Sequence, residues 1–407
     1  MVLAIILFVI TAGFILERWL HYLNKKHQQL TVPEEMEDVY PEDVYRKSIA
    51  YEMANSNFEN ITSTFSFILT LVLITSGFFA KLDEWTKTIS GDLVWSTLLF
   101  FGLMAFLSDM INTPFAFYKT FVIEERFGFN RSTIKLFFTD KLKGYLLAGI
   151  LGGSLLAIFV LFYQIAGNNF WWYAWITFSI VSIVLSMFYA SIILPLFNKL
   201  KPLGEGELRN SIEAYCRKVN FRLDNLFIMD GSKRSAKANA FFSGLGGKKK
   251  IVLFDTLIEK HTNEELIAVL AHEIGHYKKK HTRTGILLSI LQTGLMLYLL
   301  SWFINQPALA QALGGRESSF ALGLLAFTIL YSPLSTIIGI TMNVLSRKHE
   351  FEADAYAAVT FNAQSLKSAL KKLSADNLSN LTPHPWYVFF YYSHPPLLQR
   401  LKNLDKY

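Results

Sequence analysis

Residues 171–197 read WWYAWITFSIVSIVLSMFYASIILPLF, without a single Asp, Glu, Lys or Arg. A helix needs about 20 such residues to cross the hydrocarbon core of a bilayer. Six other stretches are long and apolar enough to cross as well, approximately 2–20, 61–80, 94–117, 144–166, 284–304 and 320–345. The bulk composition agrees: 52% of the 407 residues are apolar and only 17% charged, where soluble chains carry about a quarter. The sequence therefore predicts a mostly α, seven-transmembrane-helix protein whose first partner is the lipid bilayer.

The run at 2–20 opens the chain as a signal peptide would. Its first cations, Arg18, Lys25 and Lys26, come at or beyond the end of the apolar run rather than before it, and no clear small-x-small cleavage site follows, so an uncleaved anchor is expected. Cations then mark the sides of the membrane. Lys25, Lys26, Arg46 and Lys47 follow the first span, and Lys119, Arg126, Arg131, Lys135, Lys141 and Lys143 follow the third, whereas the opposite loops carry only Lys81, Lys87 and Arg316. The positive-inside rule places the amino terminus outside and the carboxyl terminus in the cytoplasm. The net charge of +7 is thereby assigned to lipid headgroups, and no nucleic-acid partner is expected.

Two polar blocks remain, 198–283 and 346–407, both on the cytoplasmic side. The expected organisation is 1–197 with five spans, 198–283 as one polar segment, 284–345 with the last two spans, and 346–407 packing back on 198–283 as a small α+β lobe. Within it, 208–220 reads as an amphipathic helix, Leu226 to Met229 and Ile251 to Phe254 as strands, and Ala238 to Lys250 as a hairpin turning at Ser243-Gly244-Leu245-Gly246-Gly247. Cys216, the only cysteine, lies in a charged helical stretch and reads as a bland thiol rather than a nucleophile.

Thr262 and Glu265 form a capping box that opens a helix with Leu266, Val269 and Leu270 on its apolar face. On it lies His272-Glu273-Ile274-Gly275-His276. Histidines four apart share a helix face and reach one ion, and zinc suits neutral imidazoles. Glu273, about 100° round the helix, is placed to hold a water on that ion and take its proton as general base. A third ligand is needed, with His281, His349, Glu350, Glu352 and Asp354 as candidates. Five residues past His276 on a continuous helix, His281 is expected to point away. Glu350 and Asp354, four apart on a helix continuing from the last span, can serve as ligand and as partner of a ligating histidine, but spacing does not separate Glu350 from Glu352.

The His272–His276 motif with Glu350-Phe351-Glu352-Ala353-Asp354 resembles the CAAX prenyl protease 1 family, the membrane-embedded a-factor-converting zinc metalloproteases. Thr113-Pro114-Phe115, Thr120 to Glu125, Gly128-Phe129-Asn130, Gly231 to Ser235, Asn239-Ala240, Ile251 to Leu257 and Ser393-His394-Pro395-Pro396 extend the likeness over nearly the whole chain. The resemblance implies one Zn2+ per chain held by His272, His276 and Glu350, with Asp354 behind them. It implies that His394 stabilises the oxyanion and that Lys237, Ala238, Asn239, Ala240, Phe241 and Phe242 form an edge strand aligning a peptide or protein substrate, prenylated or not. It also implies a water-filled chamber enclosed by the spans. Asp109 and Asn112 fit its lining; read from the residues alone, they fit helix–helix hydrogen bonding equally.

Only His261 to Asn263 separate Lys260 from the acidic start of the zinc helix, where some relatives carry a long insertion, and Leu401 to Tyr407 holds no dilysine signal. A bacterial inner membrane is therefore expected rather than the endoplasmic reticulum. The leading function is an endopeptidase cutting near the carboxyl terminus of prenylated or other membrane-associated peptides. A broad quality-control metalloprotease is the second reading. A transporter or scaffold with structural zinc is the third, and Glu273, which a structural site would not use, argues against it.

Overall fold

The computed structural model describes residues 1–222, 226–243 and 250–407. Helix α1 (Val2–His27) is followed by α2 (Glu42–Thr75), α3 (Phe78–Ile89) and α4 (Leu93–Tyr118), which widens into a π turn at Lys119–Glu124. Helix α2 is longer than the apolar segment alone, beginning nineteen residues before it and ending at Thr75; Gly77, at φ +67, then turns the chain into α3. Next come α5 (Ile134–Leu147), a π segment at Ala148–Gly153, α6 (Ser154–Ala166), α7 (Phe170–Phe188) and, after another π segment, α8 (Leu194–Phe197).

Among the described residues, six helical runs are long and apolar enough to span a bilayer: Val2–His27, Glu42–Thr75, Leu93–Glu124, Ile134–Phe197, His281–Phe303 and Phe320–Thr360. The fourth has 64 residues, about three times what one crossing needs. It contains both apolar segments 144–166 and 171–197 and breaks between them at Gly167–Asn169, where Gly167 takes φ +51. Its two limbs pack together through Phe159 on Phe170 and Phe162 on Tyr173. The membrane core gathers Ile6, Phe100, Val160, Phe170, Leu300 and Leu322 from helices distant in sequence.

The two polar residues of α4 have different fates. Asp109 accepts a hydrogen bond from Lys141 Nζ at 2.8 Å and another from the Tyr145 hydroxyl, which ties α4 to α5. Asn112 is exposed, donates to the Ser108 carbonyl of its own helix, and lines a cavity of about 600 Å³ with residues of α1, α2 and the last spanning helix.

The lobe begins with β1 (Leu200–Pro202), α9 (Glu207–Lys218) and β2 (Leu226–Met229). Then β3 (Ala240–Ser243) and β4 (Lys250–Phe254) pair antiparallel from Ala240↔Leu253 to Ser243↔Lys250; the glycine-rich residues 244–249 between them lie outside the described residues. The sheet order is β1-β2-β4-β3, which leaves β3 on an edge. After α10 (Asp255–Ile258) comes α11 (Asn263–Lys278), opened by the capping box: Glu265 N–H donates to Thr262 Oγ1, and Thr262 N–H donates to Glu265 Oε2.

The chain returns through α12 (His281–Phe303), α13 (Pro307–Ala312) and α14 (Phe320–Thr360), then closes with α15 (Ala363–Asp376), α16 (Pro385–Tyr391) and α17 (Leu397–Leu404). A single helix, α14, therefore runs unbroken from the membrane into the lobe. Ile212, Leu253, Leu257 and Leu270 form a second core with Ala357, Leu366 and Leu404 from the far end of the chain. Cys216 lies in that core, 2% exposed, and burial pushes its thiol up to about 11. It is a packing residue, inert as a nucleophile.

Candidate metal centre

Helices α11 and α14 bring the site together. Gly275 lets their backbones approach: a Cβ there would meet Ala353 Cα at 3.1 Å and Tyr356 Cβ at 3.2 Å. The contact faces Glu350 toward the two histidines. His272 Nε2 lies 3.1 Å from His276 Nε2, His276 Nε2 is 3.2 Å from Glu350 Oε1, and His272 Nε2 is 3.4 Å from Glu350 Oε2. Ligand atoms at about 2.0–2.1 Å from a tetrahedral zinc ion stand about 3.3 Å apart, so the triangle has the dimensions of one face of such a site. Glu350 Oε2 is buried without a hydrogen-bond partner, a cost that a cation removes. His272, His276 and Glu350 are the group of metal-ligating side chains the described residues bring within reach of one ion. Glu352, left open by spacing, points elsewhere.

Each ligating histidine is held from behind. His272 Nδ1 is 2.9 Å from Asp354 Oδ1, and Arg400 grips that carboxylate with two bonds, Nε to Oδ2 at 2.8 Å and Nη2 to Oδ1 at 2.6 Å. Burial alone would raise the Asp354 carboxyl; the Arg400 guanidinium and His272 outweigh it and hold it down at about 2. Arg400 escaped the sequence reading, although a signal exists. Leu397, Arg400, Leu401 and Leu404 form one helical stripe, and a cation on a buried apolar stripe demands an acidic partner.

His281 departs from expectation. It does not point away: its Nδ1 sits 3.0 Å from His276 Nδ1, and its Nε2 sits 3.0 Å from Glu352 Oε2. A helical-wheel angle holds only along a continuous helix. In fact α11 ends at Lys278, and Lys280 adopts φ +64 before His281 begins α12. His349 stacks on His281, with ring centres 3.9 Å apart.

Glu273 borders a cavity of about 910 Å³ together with His272, Glu350, His394 and Lys237 to Ala240. It also borders a smaller one of about 300 Å³ lined by His276, His281 and residues of α12 and α14. Desolvation between these walls raises its carboxyl. His394 is exposed on the larger cavity, its Nε2 3.3 Å from Glu350 Oε1 and its Nδ1 3.0 Å from Ser393 Oγ. The Lys237 side chain turns into a box of Tyr51, Phe129 and Glu124, bonding the Tyr51 hydroxyl at 2.7 Å and Glu124 Oε2 at 3.1 Å. Ala240, Phe241 and Phe242 lie on edge strand β3.

A family model described as the CAAX prenyl protease N-terminal region with five membrane helices matches residues 21–199, and one described as peptidase family M48 matches 202–407. CAAX prenyl protease 1 of Saccharomyces cerevisiae is 34% identical, over 97% of this chain and 93% of its own. The chain belongs to the CAAX prenyl protease 1 family. A probable member from Schizosaccharomyces pombe is 35% identical over 98% of this chain and 88% of its own. The crystal structure of S. mikatae Ste24p superposes with a TM-score of 0.94 at 34% identity, covering 100% of this chain and 99% of that one. As a family member, the chain is a membrane-embedded zinc metalloprotease. That removes the transporter or scaffold reading.

Proposed function

We propose that this metalloprotease hydrolyses peptide bonds near the carboxyl terminus of prenylated CAAX-type peptides, with one Zn2+ per chain on His272, His276 and Glu350. The observation that carries the reading is the single cavity that holds His272 and Glu350 of the metal triangle, Glu273, His394 and the start of edge strand β3 together. The bound ion supplies Lewis acidity for the scissile carbonyl and acidifies the attacking water. Glu273, with its carboxyl raised by desolvation, takes the proton of that water and delivers it to the leaving amine. His394, open to the same cavity, donates to the developing oxyanion. Asp354 and His281 fix the two ligating rings by bonding their outer nitrogens. Strand β3 offers backbone groups for an extended substrate.

The break at Gly167–Asn169 supports seven crossings, the long fourth run counting twice. Glu17, Glu59, Thr62, Asn112 and Ser332, which line the open cavity among α1, α2, α4 and α14, support water between the spans. The fourfold division of the chain into 1–197, 198–283, 284–345 and 346–407 follows from those crossings, and the loop cations support a cytoplasmic lobe and carboxyl terminus. The short connection at His261–Asn263 supports a bacterial inner membrane.

Cleavage of a farnesylated C-a-a-X peptide beside its unprenylated twin, in detergent, tests the reading. Wild-type protein is expected to cut the lipidated peptide preferentially, and Glu273→Gln to bind zinc normally but cut neither. Equal cutting of both would select the broad quality-control reading. Cutting of neither by zinc-loaded wild type would overturn the proposal.

A further inference from the structure

A strand added to β3 can use only the backbone groups that β4 leaves free. The Asn239 carbonyl accepts from Phe254 N–H at 3.1 Å, so Asn239 faces β4, and alternation turns Ala238 and Ala240 outward. The Ala240 N–H donates to Oδ1 of its exposed neighbour Asn239 at 2.9 Å, a local bond that a substrate carbonyl can replace. At Ala238 the outward groups are already taken. Its N–H donates to Asn377 Oδ1 at 3.2 Å, and its carbonyl accepts from Asn377 Nδ2 at 3.3 Å. One carboxamide thus presents the donor and the acceptor that a residue of a pairing strand would exchange.

The chain before Ala238 is closed as well. The Lys237 carbonyl accepts from Thr256 Oγ1 at 2.9 Å, and Ala236 N–H donates to the Phe129 carbonyl at 3.0 Å. Asn377 cannot easily swing aside. It caps the end of α15, and the next residue, Leu378, is held at φ +51 with its side chain buried beside Tyr51 and Ile123. A bulky residue persists in that conformation only where its surroundings over-determine it.

We propose that Asn377 is a specificity-determining residue that ends the substrate-binding edge, occupying Ala238 as a surrogate strand so that pairing with substrate begins at Ala240. A substrate laid antiparallel, the more stable pairing, carries its carboxyl-terminal portion toward the Ala238 end. Asn377 therefore sets how many residues beyond the scissile bond are read as strand. Residues further along must leave the edge. The inference rests on the proposal that β3 aligns the substrate.

The test is a backbone N-methyl scan of a farnesylated peptide extended by six residues on its carboxyl side, cleaved by wild type, Asn377→Ala and Asn377→Asp. Zinc content and thermal midpoint check each variant's folding. In wild type, methylation is expected to slow cleavage opposite Ala240 and to have no effect in the Ala238 register. In Asn377→Ala the sensitive footprint lengthens to that register, with a loss on the order of tenfold there, carried in KM. Asn377→Asp keeps the acceptor for Ala238 N–H and loses only the donor, so it lengthens the footprint less. An unchanged footprint in folded Asn377→Ala, or a wild-type footprint that already reaches Ala238, overturns the assignment. If no methyl group at any position slows wild type while the parent peptide is cut, strand alignment on β3 fails and Asn377's role falls with it.

Discussion

Nδ1 of His281 meets Nδ1 of His276 at 3.0 Å, while Nε2 of His281 rests 3.0 Å from Glu352 Oε2. With its Nε2 turned to the metal position, His276 donates through Nδ1–H to His281, which donates in turn to Glu352. The second ligating ring is therefore oriented by an imidazole on a carboxylate, as the first is by Asp354 on Arg400. His281→Ala is expected to weaken zinc binding about 10- to 100-fold, read as the chelator concentration that strips half the metal. Glu352→Gln should shift the same curve less. An unshifted curve for His281→Ala would show that His276 needs no such support.

Gly275 is expected to be intolerant of any side chain. The added carbon of Gly275→Ala would lie 3.1–3.2 Å from backbone atoms of Ala353, and backbone gives way poorly. Overpacking of this kind costs about 1–3 kcal/mol and forces α11 from α14, drawing Glu350 off the histidines. Thermal melting with and without zinc should show a lower midpoint and less stabilisation by the metal.

Arg400→Ala leaves Asp354, fully buried, with an uncompensated charge. Removing one partner of a buried pair costs about 3–5 kcal/mol. Arg400→Lys is not expected to restore stability, because a lysine cannot reproduce the two-pronged grip. The double change Asp354→Asn with Arg400→Met should recover much of the denaturation midpoint but not the zinc affinity.

Glu265 yields a pH prediction. Burial alone would raise its carboxyl, but Lys372 at 2.7 Å, Ser368 and the Thr262 backbone more than offset this and hold it below the usual range. A depressed carboxylate stabilises the fold at pH above its unfolded value, and that contribution is lost as pH falls through the folded value. Wild type should therefore lose stability below about pH 4 relative to Glu265→Gln, and the two melting curves should converge in acid. Constant separation down to pH 2 would contradict the assignment.

Much of the molecule was legible in local pattern. Charge-free runs such as 171–197 specify spanning helices because lipid leaves backbone groups no other partner. Thr262 with Glu265 announced the start of α11, since four free N–H groups must be capped there. The spacing of His272 and His276 put both rings on one face by helical geometry alone. The break at Gly167–Asn169 falls in the gap that the sequence left between the apolar segments 144–166 and 171–197.

What only the tertiary structure decided lies between segments. Sequence alone determined that the chain enters a membrane and carries a helix with a paired-histidine metal face. Spacing left Glu350 and Glu352 equal, and only the family resemblance named Glu350, because both sit on one helix and the choice depends on how α14 rotates against α11 at Gly275. It misplaced His281 because one residue, Lys280, leaves helical geometry, and every angle counted past that point is void. It said nothing of Arg400 at Asp354 or Asn377 at Ala238, contacts spanning 46 and 139 residues. Such contacts are set by packing across the lobe's core, and no local period encodes them.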